Sequence, residues 1–264
     1  MLIGAARRRT QRVPRSIQRL SGPILLVALW WLLTGTGLVG PHTFPPPGDV
    51  LSAGWDLLRS GDLTAAMWAS SRRVLAGLAF GVSAGLLVAL AAGLSRRAED
   101  VLDSSMQVLK AIPTFALVPL LIIWLGIDEA PKVAIIALAT SMPIYMNTYG
   151  AIRNVDVRLV ESAQTLGVGR MGLVRHVILP GSLPGFLVGL RISLTSAWLA
   201  LVIAEQLNAQ DGLGKLMYDA RSWFRLDLMV LVVVIYAVFG LLSYAFVRFL
   251  ERHLLQWRRG FEGA

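Results

Sequence analysis

The chain has 264 residues, of which 55% are hydrophobic and only 16% charged, and its mean hydropathy is +0.63. A soluble domain carries about 25% charged residues. Despite the net charge of +9, this composition therefore excludes a free nucleic-acid-binding protein, and it argues against a cytosolic enzyme. The absence of cysteine excludes disulfides and thiolate metal sites, and three histidines argue against a multi-histidine metal cage. The composition is that of a protein whose apolar surface faces a lipid bilayer.

Six segments are predicted to be membrane-spanning helices, each of which needs roughly 20 apolar residues. The second contains no charged residue and is the clearest. The third is interrupted by Lys110, Pro113 and Pro119, and the fourth has Pro143 near its middle. In chain order the predicted spans are 23–39, 74–94, 106–126, 131–152, 183–206 and 228–249.

Lysine and arginine are unevenly divided between the two sides of these spans. Most lie in the N-terminal tail, in the loops after the second and fourth spans, and after the sixth. The positive-inside rule places that side, with both termini, in the cytoplasm. We expect a basic cytoplasmic tail over 1–22 and a single transmembrane domain over 23–264. The basic excess then indicates topology and contact with anionic lipid, not nucleic-acid binding, because aromatic residues do not interleave the arginines.

The loop after the first span is expected on the outside and begins with a stiff, proline-rich stretch, 44–48. Asp49 and Asp62 each stand before a helical pattern, and we expect both to act as helix N-caps. A short amphipathic helix should follow Asp49, and a second helix should run from Asp62 into the second span.

Small residues recur every four positions in two of the spans, which places them on one helix face. Such a face lets another backbone approach closely in lipid. The pattern predicts either a moving helix interface or ordinary static packing. The residues are Gly77, Gly81, Gly85, Ala89 and Gly93 in the second span, and Gly181, Gly185 and Gly189 at the start of the fifth.

Prolines inside the third and fourth spans free backbone carbonyls, which are tolerated where they face protein or a water-filled cavity. Nearby polar side chains either line a transport path or simply bond the interrupted backbone. The candidates for the path are Thr114, Thr140, Ser141 and Asn147, together with Arg191 in the fifth span. Lys110 and Arg191 are basic residues within predicted spans, and both lie towards the cytoplasmic side, where Lys110 is expected to snorkel.

The loop 153–180 has the pattern of two short amphipathic helices. Asp156 is a candidate N-cap, an apolar stripe follows at helical spacing, and Gly167 and Gly169 end the first helix. The second helix is expected to stop at Pro180. Two helices that meet at a glycine corner either project as a knob that a soluble partner grips or lie flat on the membrane. The pattern alone leaves both open.

The residues of this loop also resemble a known signature. The run Glu161-Ser162-Ala163-x3-Gly167, followed after nine intervening residues by Val177-Ile178-Leu179-Pro180, is similar to the EAA signature of the membrane subunits of bacterial ATP-binding-cassette (ABC) importers. Ser162 and Val177 replace the usual alanine and isoleucine. Segments 44–50, 71–77, 119–127, 143–148 and 150–161 resemble the nitrate/sulfonate/taurine permease branch, and the last is most similar to aliphatic-sulfonate permeases.

This resemblance implies an all-α integral membrane protein with the type I ABC importer permease fold, located in the bacterial inner membrane as a homodimer. Two cytoplasmic ABC ATPase subunits would bind the loop, and a periplasmic or lipoprotein substrate-binding protein would deliver an organic anion. Aliphatic sulfonates are the expected cargo, with taurine, nitrate or another small solute as alternatives. The implied coupling-loop residues are Glu161, Ser162, Ala163, Gly167, Val168, Gly169, Arg170, Met171 and Pro180.

No G-x-x-x-x-G-K-[ST] phosphate loop is present, since Gly212-Leu213-Gly214-Lys215 lacks both the spacing and the hydroxyl residue. We therefore expect no cofactor, metal or catalytic residue on this chain, with ATP and Mg²⁺ held by the partner ATPase. An ion-driven carrier would show inverted repeats and midplane ionisable residues. An intramembrane enzyme would need a convergent set of acids, bases or metal ligands. The sequence shows neither pattern.

Overall fold

The structure is a computed structural model that describes residues 15–40 and 43–257. Most of the predicted basic tail, residues 1–14, lies outside the described residues, as do 41–42 and 258–264. The regular secondary structure of the described residues is entirely helical. The α-helices are α1 Arg15–Gly35, α2 Pro47–Ser60, α3 Asp62–Leu94, α4 Arg96–Ala111, α5 Val118–Leu125, α6 Glu129–Arg153, α7 Val157–Thr165, α8 Arg170–Leu173, α9 Leu179–Asn208, α10 Leu213–Ser222 and α11 Leu226–Leu254.

The centre of the fold is a three-helix layer in which α6 lies between α3 and α9. Buried apolar side chains from α3, α5, α6 and α9 form the largest core cluster, which includes Val74, Leu121, Ile136 and Leu201. α11 packs against α9, and α2 and α10 pack beside α11. The first residues of α3 and α6 and the last residues of α9 share one end of this layer, called here the Arg73 end. The short helices α7 and α8 lie at the opposite end.

The glycine stripes of α3 and α9 let both helices pack unusually closely on α6. The four-residue spacing of these glycines predicted that they form packing faces. A Cβ atom added at Gly81 of α3 would lie 2.5 Å from the carbonyl oxygen of Ala137. One added at Gly189 of α9 would lie 2.8 Å from the carbonyl oxygen of Pro143. Real Cβ atoms essentially never approach backbone that closely. The small-residue faces are therefore required for the packing of both neighbours on α6.

α6 is less apolar than its neighbours because much of its surface faces protein. Thr140 and Thr148 are buried, and Tyr145 is only 2% exposed. The hydroxyl of Thr140 donates to the carbonyl oxygen of Ile136 at 2.8 Å, which satisfies it within its own helix. A helix that is shielded from lipid on two sides can carry such residues without the cost of exposing them to hydrocarbon.

The predicted third span is not one straight helix. Its first part belongs to α4, which ends at Ala111, and its second part is α5, with a 3₁₀ turn at Thr114–Leu117 before it. The axes of the two parts differ by 84°. Pro113 lies in the break and Pro119 in the first turn of α5. Because proline cannot donate a helical hydrogen bond, it fits the start of α5 but not a continuous helix from α4.

Among the described residues, three helices are long and apolar enough to cross a membrane alone: α3, the continuous helix Arg170–Leu207, and α11. The bent pair of α4 and α5 makes a fourth if it crosses as one unit. The predicted second, fifth and sixth spans are thus confirmed as helices of spanning length. α1 offers a shorter apolar stretch, Ile24–Gly35, with mostly exposed side chains.

The two expected aspartate caps at the start of α2 and α3 are wrong in detail. α2 begins at Pro47, so Asp49 lies within its first turn. α3 begins at Asp62 itself, after Gly61 in a left-handed conformation. Both aspartates still lie where a negative charge favours the helix dipole. Proline at the first helical position explains the earlier start of α2, because its fixed φ suits that position.

Candidate coupling segment and ion-pair cluster

The segment formed by α7 and α8 contains a tightly defined corner. The side chain of Asp156 accepts a hydrogen bond from the backbone N–H of Arg158 at 2.9 Å, which confirms the predicted N-cap. At the other end of α7, the N–H of Val168 donates to the carbonyl of Ala163 at 3.0 Å. Gly167 between them has a φ of +76°. This is a glycine-dependent helix C-cap, as expected from the sequence.

Apolar side chains around this corner point away from the rest of the protein. Leu166 is 82% exposed and Met171 is 78% exposed, and α7 has no buried residue. Val157 and Leu159 are exposed on the same helix. A projecting apolar surface next to polar side chains is typical of a protein–protein contact. This exposure is compatible with both interpretations open from the sequence, a knob for a soluble partner and a helix pair on the membrane surface.

The segment is joined to the predicted fifth span without a break. Pro180 was expected to stop the second helix, and this expectation is wrong. α8 continues through a π-helical turn, Val174–Ile178, into α9, and the whole forms a helix from Arg170 to Leu207. The π-helical turn directly precedes Pro180, which lies in the first turn of α9, and its wider spacing accommodates the proline ring. A displacement of α8 would therefore act directly on α9.

The candidate path residues mostly bond the backbone. Asn147 donates to the carbonyl oxygen of Pro143 at 2.8 Å, and Ser141 donates to that of Leu138 at 3.0 Å. Thr140 is fully buried against α3. Thr114 lies in the 3₁₀ turn before α5 and is half-buried. These contacts agree with the interpretation that polar groups satisfy the interrupted helices.

Arg191 is paired across two helices. Its Nη2 lies 2.5 Å from Oε1 of Glu251 on α11, and its guanidinium lies 5.6 Å from the ring centre of Tyr244. The side chain of Arg191 is still 42% exposed. An arginine that is partly neutralised in this way attracts an anion without holding it as an isolated buried charge would.

An ion-pair cluster that the sequence analysis missed lies at the Arg73 end. Arg73, only 1% exposed, makes a bidentate contact to Glu129, with distances of 2.7 and 2.8 Å. Its Nη1 also donates to Glu205 at 2.6 Å and to the backbone carbonyl of Asp211 at 2.9 Å, and its Nη2 contacts the Asp211 carboxylate. One guanidinium thus joins α3, α6, α9 and the loop before α10.

Glu205 is completely buried, and both oxygens of its carboxylate accept hydrogen bonds. It accepts hydrogen bonds from the hydroxyl of Ser70 at 2.8 Å and from the N–H of Gly214 at 2.7 Å, besides that from Arg73. The N–H of Leu213 donates to Ser70 at 2.8 Å. The loop before α10 is therefore folded around this carboxylate, as a buried charge requires.

Glu129 completes the cluster at its more exposed edge. Lys132, one turn along α6, approaches it at 3.0 Å. The hydrogen bonds from Arg73 lower the pKa of Glu129 from its ordinary value to about 2. Glu129 therefore stays ionised near neutral pH, and the contact with Arg73 keeps its full charge-assisted strength.

The signal that could have revealed this cluster was Glu205. It is the only acidic residue in the predicted fifth span, and an acidic residue at membrane depth needs a partner. Arg73 stands directly before the predicted second span, on the side expected to be external. Among the described residues, no group of three or more His, Asp or Glu side chains is arranged to hold a metal ion.

Comparison with known proteins identifies the family. Residues 81–256 match the family described as the inner membrane component of binding-protein-dependent transport systems. The chain belongs to this family. The match covers the whole three-helix layer except the first part of α3, and it includes the α7–α8 segment. This permease is thus an ABC transport subunit and not an enzyme, and ATP hydrolysis belongs to a separate ATPase subunit.

Three relatives with functional names align with most of this permease. It is 41% identical over 235 residues to an Escherichia coli K12 protein that carries the name aliphatic sulfonates transport permease protein SsuC, covering 89% of each chain. A Bacillus subtilis protein of the same name is 39% identical over 241 residues, covering 91% of this chain and 87% of the relative. The E. coli taurine transport system permease protein TauC is 33% identical over 238 residues, covering 88% and 86%.

Solved structures support the fold. A chain of an amino acid ABC transporter crystallised with histidines superimposes with a TM-score of 0.63 at 17% identity, covering 75% of this permease and 96% of that chain. A chain of the inward-facing methionine transporter MetNI gives a TM-score of 0.56 at 17% identity, covering 70% and 94%. The all-helical architecture is therefore that of ABC importer membrane subunits, as the resemblance implied.

Proposed function

We propose that this permease imports aliphatic sulfonates, driven by ATP hydrolysis on a partner subunit. The observation that carries the proposal is the order of identities among its relatives. The permease is 41% and 39% identical to two proteins named for aliphatic sulfonates, and 33% identical to one named for taurine. Taurine, nitrate or another small solute remains the alternative cargo.

We further propose a six-span protein of the bacterial inner membrane, with both termini and the α7–α8 segment in the cytoplasm. The Arg73 end then faces the periplasm. Two copies would form the path, two ABC ATPase subunits would bind the two α7–α8 segments, and a periplasmic or lipoprotein binding protein would deliver substrate. The family description supports the membrane and the dependence on a binding protein, and the basic residues support the orientation.

The α7–α8 segment is proposed to transmit ATP-driven movement. Leu166 and Met171 would enter a cleft of the ATPase, with Glu161, Ser162, Ala163, Val168, Gly169 and Arg170 around them. Support comes from the exposure of the corner and from the unbroken helix Arg170–Leu207. Closure of the ATPase pair would push this helix, and the membrane subunits would alternate between inward-facing and outward-facing states.

Substitution of Gly167 by valine is expected to uncouple transport from ATP hydrolysis. Gly167 has a φ of +76°, where a β-branched residue is strained, and no neighbouring atom lies within 4 Å of an added Cβ. The corner should therefore change its shape while the membrane helices stay folded. We expect normal yield of the variant but loss of substrate-stimulated ATP hydrolysis in the reconstituted complex.

Gly167→Asn is the matched control for this prediction, because asparagine adopts the left-handed conformation of this position far more readily than a β-branched residue does. It adds a side chain in the same open space but should keep the backbone of the corner. It should retain more of the stimulation and more of the copurified ATPase than Gly167→Val does. Normal stimulation in Gly167→Val would show that this corner does not transmit the movement.

The path is proposed to run along the faces of α6 and α9. A sulfonate is a fixed anion with an apolar tail, so its head needs polar groups without a deep, unpaired cation. Ser141, Asn147 and Arg191, with Thr114 at the bend before α5, offer such groups. Thr140 is proposed to contribute by holding the α6 backbone against α3. The pairing of Arg191 with Glu251 supports this arrangement because it weakens the hold on a passing anion.

Growth on sulfonates tests the proposed cargo. A bacterial strain that lacks its own sulfonate uptake, with sulfate uptake blocked, would receive the operon that encodes this permease. We expect growth on alkanesulfonates of several carbons as the sole sulfur source. The same operon carrying Gly167→Val serves as the negative control.

A different growth pattern would contradict the proposed cargo but not the conclusion about the fold. Failure on alkanesulfonates together with growth on taurine, or on nitrate as nitrogen source, would assign the permease to a sister branch of the family. Growth on alkanesulfonates in the absence of the ATPase gene would contradict the ATP-driven mechanism.

A further inference from the structure

α4 is attached to the rest of the protein by one narrow face. None of its residues is fully buried. Its N-cap Ser95 has an extended backbone that separates it from α3, and the 84° bend at Pro113 separates it from α5. Neither end is therefore held in line with a neighbouring helix. Its inward face consists of two acidic and two apolar residues at helical spacing: Glu99, Leu102, Asp103 and Met106.

Opposite this face, α6 presents three hydrogen-bond donors at intervals of four residues. The hydroxyl of Tyr145 donates to Asp103 at 2.7 Å, and that of Tyr149 donates to Glu99 at 2.6 Å. The guanidinium of Arg153 lies 3.3 Å from the second oxygen of Glu99. These five residues form an antiparallel series of contacts between the two helices, called here the α4–α6 ladder.

The ladder is held in a defined shape. The rings of Tyr145 and Tyr149 are stacked, with centres 5.5 Å apart and planes within 11°. Leu102 and Met106 of α4 pack into the same cluster, beside buried alanines of α3. The two hydroxyls therefore have little freedom to leave their carboxylates unless α4 itself moves.

The position of the ladder links it to the α7–α8 segment. Arg153 is the last residue of α6, and α7 begins at Val157. Any displacement of α7 thus reaches the last turn of α6 through a short connection. α6 itself is locked to α3 and α9 by backbone contacts without space for a side chain. α4 is the neighbour whose attachment depends mainly on side chains.

We propose that the α4–α6 ladder makes α4 move together with α6 when the α7–α8 segment is displaced. Tyr145, Tyr149 and Arg153 act as positioning residues for transport, and they need not touch the substrate. This inference rests on the proposed function. Without the ladder, α4 lags behind the three-helix layer, and ATP hydrolysis is no longer matched by translocation. The outward face of α4 carries polar side chains, including Asp100, Ser104 and Gln107, that its movement would reposition.

The double variant Tyr145→Phe/Tyr149→Phe tests this role because it removes two hydroxyls and keeps both rings. In the complete reconstituted complex, we expect unchanged assembly with the ATPase and unchanged basal ATP hydrolysis. The number of substrate molecules imported per ATP should fall at least roughly tenfold, the lower end of the effect expected for loss of a hydrogen bond to a charged group. Tyr218→Phe on α10, with an exposed ring, is the matched control and should leave this ratio unchanged.

A distance measurement separates this role from simple stabilisation. The chain has no cysteine, so spin labels can be placed at Ser104→Cys on α4 and Leu87→Cys on α3, both exposed positions. Mixing labelled with an excess of unlabelled copies isolates the distance within one copy. With the ladder intact, we expect this distance to give one narrow distribution with and without ATP. In the double phenylalanine variant, the distribution should broaden. If that variant does not fold, the single variant Tyr149→Phe removes one hydroxyl and should show the same effects in smaller degree.

The outcomes are distinguishable. An unchanged ratio of import to ATP hydrolysis in the phenylalanine variants, or an unchanged narrow distance distribution, would overturn the role of the ladder. A lower melting temperature with an unchanged ratio would show a structural contact only and would overturn it too. Absence of substrate-stimulated ATP hydrolysis in the unmodified complex would instead contradict the proposed function.

Discussion

Replacement of Arg73 by methionine is expected to destabilise the permease by about 3–5 kcal/mol, the usual effect of removing one partner of a buried ion pair. Glu205 is completely buried and would lose its cation, and Glu129 and Asp211 would repel each other across the gap. For a chain of this size, the melting temperature in detergent should fall by roughly 10 °C.

Two further variants make this prediction specific. Arg72→Met makes the same substitution at the neighbouring arginine, which is exposed, and should change the melting temperature little. Adding Glu205→Gln to Arg73→Met removes the orphaned charge and should restore part of the lost stability, as an interacting pair requires. Equal melting temperatures for Arg73→Met and Arg72→Met would show that the cluster contributes nothing to stability.

Addition of a single methyl group at Gly81 is expected to separate α3 from α6. The Cβ atom of Gly81→Ala would lie 2.5 Å from the backbone oxygen of Ala137 and would overlap the hydroxyl of Thr140. Backbone cannot move aside as a flexible side chain can, so the cost should reach the upper part of the range for overpacking, about 3 kcal/mol. Thermal unfolding and size-exclusion chromatography in detergent would measure the loss of folded protein.

Gly240→Ala is a control in which the expected change in stability has the opposite sign. Gly240 lies within α11, and no atom lies within 4 Å of an added Cβ. Alanine is favoured over glycine in a helix by roughly 0.5–1 kcal/mol, so this variant should be as stable as the unmodified protein or slightly more stable. A Gly81→Ala variant that behaves like Gly240→Ala would contradict the close packing of α3 on α6.

The glycine spacing predicted the packing faces but not their partner. Residues four apart must share a helix face, so Gly77, Gly81 and Gly85 could be assigned to one interface from the sequence. The same held for Gly185 and Gly189. That both stripes pack on α6, from two sides, depends on the tertiary arrangement, which spacing within one helix does not contain.

Proline positions were a less reliable guide because the effect of proline depends on its neighbours. Pro113 does mark a sharp break between α4 and α5. Pro180 does not stop its helix, since a π-helical turn before it removes the steric conflict. Pro143 lies inside α6 without ending it. The α7–α8 corner was predictable because Asp156 and Gly167 act through their own local backbone.

The ion-pair cluster could not be assembled from the sequence because its members are far apart along the chain. Arg73 is separated from Glu129 by 56 residues and from Glu205 by 132. Each residue lies near the end of a predicted span, where charged side chains are common. Only the tertiary fold brings these ends together, and only the buried position of Glu205 shows that its partner is essential.

Uptake into proteoliposomes tests the central claim most directly. Vesicles would contain the permease with its ATPase inside, the binding protein and a radiolabelled alkanesulfonate outside, and either ATP or a non-hydrolysable analogue inside. We predict that label accumulates only when the permease, the ATPase, the binding protein and hydrolysable ATP are all present. Accumulation by the permease alone in response to a proton or sodium gradient would contradict the account and would make the protein an ion-driven carrier.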